Sequence, residues 1–211
     1  MPDFTTERLV EALLDYSRRR RRFGGNDETT KFDFKPSLVA RFEFDWWRAR
    51  RFHNRQEFAK AFVNYAKEQF GISIGLAGRA AKLFVRAALL SDKGEWDEAK
   101  GILTNFYRLL KSNIKLAFEP SIVADLSIEY LRNTNGEKRL VESHEVMQKL
   151  FAELFRIPLL QADKIAYFRL LAQDQEEKAE DASGKREKEA FLKQAEKYLT
   201  RSYEVLKERI A

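Results

Sequence analysis

The chain has 211 residues, 44% of them hydrophobic and 34% charged, with no cysteine and a formal net charge of +6. That length and composition suit one large or two small globular domains with a substantial core, and the lack of thiols excludes disulfides and cysteine-ligated metal sites. The positive excess lies towards the front: 13 Lys/Arg face 9 Asp/Glu in residues 1–56, 10 face 7 in 57–119, and 16 face 17 in 120–211, a lean that favours an acidic partner.

Thr5 or Thr6 can cap a first helix carrying Leu9, Val10, Leu13, Leu14 and Tyr16, which runs into five arginines and stops before Gly24-Gly25. Charged residues punctuate the first twenty positions, so no secretory signal is expected and a cytoplasmic setting is the default. The runs Lys31–Pro36 and Arg41–Asp45 alternate charge with phenylalanine, and both read as extended segments. Asp45 then caps a helix opening with Trp46-Trp47. Residues 1–44 are accordingly expected to form a basic N-terminal helix and extended linker, and 45–211 a helical domain.

Arg18, Arg19, Arg20, Arg21 and Arg22, together with Arg48, Arg51 and Arg55, make up the candidate contact set for nucleic acid or an acidic partner. Cations neutralise phosphates while interleaved rings stack on bases. The same interleaving arises when an amphipathic helix buries its aromatics and solvates its arginines.

From Glu57 onwards the apolar period is helical, and the chain repeats itself. At an offset of 85, Phe62, Tyr65, Ala66, Phe70, Ile72, Ala77, Ala81, Leu83 and Ala87 fall on Met147, Leu150, Phe151, Phe155, Ile157, Ala162, Ala166, Phe168 and Ala172. At an offset of 96, Ala99, Leu103, Tyr107 and Leu110 fall on Ala195, Leu199, Tyr203 and Leu206. The difference of 11 implies an insertion between Gln173 and Lys193, where the polar run from Gln175 to Lys188 is expected to be peripheral, as a helical extension or a loop. Duplicated three-helix units over about 57–111 and 143–210 follow. The first should bury Phe62, Tyr65, Phe70, Leu83, Phe84, Leu103 and Tyr107. Between the units, Pro120 opens a short helix that ends before Asn133-Thr134-Asn135-Gly136.

Gly94-Glu95-Trp96-Asp97-Glu98-Ala99, with Ala87 and Ala88 before it, resembles the turn between the two helices of a tetratricopeptide (TPR) repeat, over about Leu83 to Asn113 with a divergent echo near the C-terminus. The resemblance implies an α-hairpin stack whose groove binds other proteins. The proline expected after the second helix is missing near Asn113, and the period is not the family's 34 residues.

Signs of chemistry are few. Gly71-Ile72-Ser73-Ile74-Gly75 has the form of a nucleophile elbow, but that elbow needs a strand leading into it, and a helical period leads in here. Ser73 therefore reads as a helix cap. His53 and His144 lack the Glu-x-x-His pairing of di-iron bundles, no phosphate loop occurs, and Arg79, Lys82 and Arg86 interrupt the longest apolar stretch, so a membrane span is not expected. The sequence thus predicts an all-α chain of seven to eight helices, an α-hairpin stack with an internal duplication and TPR-like packing. The function expected is non-enzymatic protein–protein interaction or scaffolding, without cofactor or metal; the alternative is a nucleic-acid-associated helical protein using the basic, aromatic N-terminal region.

Overall fold

The computed structural model describes residues 33–134 and 140–210. The expected first helix and Arg18–Arg22 lie outside these residues. Among the described residues the fold is all-α, with no strand: α1 (Pro36–Arg51), α2 (Arg55–Phe70), α3 (Ile74–Ser91), α4 (Trp96–Lys111), α5 (Pro120–Thr134), α6 (Leu140–Phe155), α7 (Leu159–Asp181) and α8 (Lys185–Ile210). Each helix packs on the next, and α8 packs back on α1. The helix order therefore closes into a ring.

The first helix corrects the sequence reading. It starts at Pro36, not Asp45, so Arg41–Phe44 is helical rather than extended and the boundary drawn at residue 44 falls within α1. Two features of the chain account for this. Pro36 sits in the first turn, where a missing N–H costs nothing, and Lys35 before it is extended (φ −93°, ψ 110°) as a residue preceding proline should be. Val39, Ala40, Glu43 and Phe44 are buried, with Trp47 half-buried one turn further on. That spacing of three and four residues overrides the local alternation of Phe42 and Phe44. Arg48, Arg50 and Arg51 in the last turn complement the negative end of the helix dipole.

Helices α2–α3 and α6–α7 are joined in the same way. Gly71 ends α2 in the left-handed region (φ 64°), Ile72 is buried, and Ser73 (φ −63°, ψ 154°) leads into α3 with its hydroxyl accepting from the Leu76 amide at 3.4 Å. After α6 the sequence of conformations recurs: Arg156 (φ 53°), buried Ile157, then Pro158 (φ −56°, ψ 141°). Of the residue pairs quoted above at offsets of 85 and 96, all members are buried except Tyr65, Leu83 and Phe168, which are half-buried against the core. Of the expected first-unit core, Phe62, Phe70, Leu103 and Tyr107 are buried, while Tyr65, Leu83 and Phe84 are half-buried against it. Phe62 and Phe84 stack at 4.0 Å, and Trp46 of α1 meets Phe58, Phe62 and Phe84 within 6.0 Å.

The extra residues of the second unit lengthen its last two helices, so that α7 has 23 residues against 18 in α3 and α8 has 26 against 16 in α4. The extension is helical and mostly exposed, as its polarity suggested, with two exceptions. Glu176 and Ala179 are buried, and Arg51 of α1 reaches Glu180 at 2.5 Å. A polar helix with one small apolar residue per turn on its inner face can still pack closely on a neighbour.

Candidate functional site

Two helices that are not neighbours in the ring, α1 and α7, are bridged by side chains at two Glu–Arg rungs. At the inner rung Glu43 of α1 accepts from Arg169 of α7 through one carboxylate oxygen and from the Tyr203 hydroxyl of α8 through the other. The Tyr65 hydroxyl of α2 lies 3.3 Å from that of Tyr203. Glu43 and Arg169 are 2% and 6% exposed, so both are desolvated. Ring faces enclose the guanidinium, which lies 4.8 Å from the centroid of Phe151, 5.5 Å from Tyr203 and 5.8 Å from Trp47. Its Nε and Nη1 have no hydrogen-bond partner, and the cation–π contacts are what compensate them. Burial alone would lower the Arg169 pKa, but Glu43 beside it outweighs this and holds the group charged well above its usual value. Burial, then the neighbouring Glu43 charge, pushes the Tyr203 and Tyr65 hydroxyls up. Arg169 therefore stays charged, and both hydroxyls stay protonated, across the physiological range.

The outer rung lies two turns further along α1, at a cleft of about 260 Å³ between the C-terminal halves of α1 and α5 and the middle of α7. Trp46, Trp47 and Tyr130 supply its aromatic walls. The Tyr130 hydroxyl donates to Gln173 Oε1 at 2.9 Å, and the Gln173 amide donates towards Glu177 Oε1 at 3.4 Å. Burial raises the Tyr130 pKa to about 12, so this hydroxyl too stays protonated. Arg50 is bound to Asp92 at 2.5 Å and Arg51 to Glu180 at 2.5 Å. Glu176 differs from both. Its side chain is 7% exposed, yet its nearest cation, Arg51 Nη2, stands 3.9 Å away, beyond hydrogen-bond distance. Burial raises its pKa, helped by Glu180 and Glu177 and opposed by Arg51 and Arg48.

The structure separates the sequence-predicted contact residues. Arg51 lines the cleft, Arg48 lies over the Phe44 ring at 5.9 Å, and Arg55 is the exposed first residue of α2. Trp46, whose ring a stacking site would need free, is packed among Phe58, Phe62 and Phe84. His53 is exposed at the turn after α1 (φ 54°) and lines the cleft, whereas His144 lies 3.5 Å from Asp163 on the α6–α7 face. Ser73 caps a helix between two helices, so the elbow-like motif has no strand before it. No helix among the described residues is long and apolar enough to cross a membrane.

Sequence reasoning missed Glu43, Arg169 and Glu176. Glu43 sits at helical spacing between Val39 and Trp47, and Arg169 among Ile165, Ala166, Leu170 and Ala172. A charge inside an apolar stripe is the signal that could have found them. Comparison with known protein families, characterised proteins and solved structures finds no match to the chain.

Proposed function

We propose that the chain is a non-enzymatic protein-interaction module, a scaffold of TPR-like helical packing that receives part of a partner protein in the cleft between α1, α5 and α7. The observation carrying this reading is the cleft itself: aromatic side walls, a rim of ion pairs, and one largely buried carboxylate, Glu176, that makes no hydrogen bond to a described residue and has Arg51 3.9 Å away. Sites that orient a ligand combine an apolar lining with a few placed polar groups, and aromatic and arginine anchors dominate binding energetics at protein interfaces. The Gly94 turn (φ 77°) into Trp96 and buried Ala99 supports the TPR-like element of the proposal. A cytoplasmic setting belongs to the same reading.

The test is site-specific photo-crosslinking from Glu177, an exposed residue of the cleft, with a second probe at Leu160, 84% exposed on the first turn of α7, as the control. A discrete protein adduct from position 177 and not from 160, surviving nuclease, is expected. An adduct dissolved by nuclease would favour the nucleic-acid reading; no position-dependent adduct would remove the interaction reading.

A further inference from the structure

We propose that the cleft between α1, α5 and α7 binds an alkylammonium group, with Glu176 as its counter-ion and the rings of Trp47 and Tyr130 flanking its chain. This deepens the interaction reading and rests on the same cleft. The first observation is the carboxylate. Glu176 is a cleft-lining side chain, 7% exposed, with no hydrogen bond to a described residue and its ion-pair partner Arg51 at a loose 3.9 Å. A buried carboxylate left in this state is costly, and a charged donor from a ligand relieves that cost.

The second observation is the charge of the lining. Arg50 and Arg51 are outnumbered by Asp92, Glu176 and Glu177, two positive against three negative, and both arginines are already engaged, with Asp92 and Glu180 at 2.5 Å. With Arg48 and Glu180, which also act on Glu176, the tally becomes three positive against four negative, an excess that disfavours an anion. The third is the walls. Trp47 and Tyr130 present ring surface to a cleft whose volume, about 260 Å³, is small for an extended ligand, and the faces of such rings attract ammonium groups.

Burial raises the Glu176 pKa, and the groups that modulate it are Arg48 and Arg51 from α1 and Glu177 and Glu180 from its own helix. Protonation removes the counter-ion, so binding weakens as pH falls through that raised value. The ammonium group has two sources, a free alkylamine or a lysine side chain of a partner protein, and the chemistry at Glu176 is the same for both.

The experiment is titration of the full chain with 1,5-diaminopentane and with N-acetyl-lysine methylamide, followed by the tryptophan indole resonances. N-acetyl-norleucine methylamide and N-acetyl-glutamate serve as the uncharged and anionic controls. Trp96 lies away from the cleft, over Arg132 at 5.2 Å, and acts as an internal reference. Shifts at Trp46 and Trp47 and not Trp96, with either amine and neither control, are expected. Glu176→Gln, which keeps the side-chain shape, should weaken binding about tenfold or more and abolish its pH dependence. Cleft shifts as large with N-acetyl-glutamate, or no shift with either amine, overturn the proposal on the unmodified chain, whether or not the variant folds. Tighter binding of the free diamine supports the cation site while counting against a protein partner, and tighter binding of the lysine derivative supports both. The Glu177 crosslink does not depend on this result, so the two readings fail separately.

Discussion

The inner and outer rungs between α1 and α7 use the same two residue types in opposite order, and they have opposite fates. At the inner rung the carboxylate comes from α1 and the guanidinium from α7; every oxygen of Glu43 is used, and aromatic rings close over Arg169. At the outer rung the guanidinium comes from α1 and the carboxylate from α7, and Arg51 turns to Glu180, leaving Glu176 3.9 Å away beside a cleft. Enclosure separates the two: both Glu43 oxygens are hydrogen-bonded and rings cover Arg169, whereas the Glu176 side chain lines a cleft. The inner rung fastens α1 to α7 and α8. The outer one leaves Glu176 lining a cleft, with Arg51 3.9 Å away.

The largest effect that would sharpen this contrast is loss of the inner carboxylate. Glu43→Leu strands Arg169 in a ring-lined interior and should cost about 3–5 kcal/mol in urea unfolding; a loss below about 1 kcal/mol would mean that water reaches the guanidinium. Next is Tyr203→Phe, which removes one donor to Glu43 and should cost roughly 1.5–3 kcal/mol, the worth of a hydrogen bond to a charged group. The smallest effect has the opposite sign. Because burial raises the Glu176 pKa above the ordinary 4.5, the folded chain holds that proton more tightly than the unfolded chain does. The charge therefore costs stability above the raised value, and the cost is relieved as pH falls towards 4.5. Glu176→Gln should be slightly more stable than the parent at neutral pH and lose that advantage in acid, as thermal melts across pH would reveal. An advantage that grew in acid would place Glu176 among ordinary paired carboxylates.

The helical period from Glu57 onwards, the turns at Gly71, Gly94 and Pro120, and the cap at Ser73 were all legible in the sequence, because each depends on residues within a few positions of one another. The start of α1 was not. Its local alternation of charge and phenylalanine points to extended chain, and the competing helical spacing of Val39, Ala40, Glu43 and Phe44 wins once distant partners are in place: Phe34 against Tyr203, and Trp46 against α2 and α3. Glu43 and Arg169 are 126 positions apart, and only the closure of the ring brings them together. The cleft was illegible for the same reason, since α1, α5 and α7 each contribute one wall and no local motif marks any of them. Polarity misled only at Glu176 and Ala179, which are buried within an otherwise largely exposed stretch.

The most direct measurement is a pair of double-mutant cycles in urea unfolding, Glu43→Gln with Arg169→Met for the inner rung and Arg51→Gln with Glu176→Gln for the outer. The account predicts a coupling of roughly 2–3 kcal/mol for the inner pair and about 0–1 kcal/mol for the outer. Equal couplings, or a larger one at Arg51 and Glu176, would contradict the division between a sealed rung that holds the fold and an open one that binds.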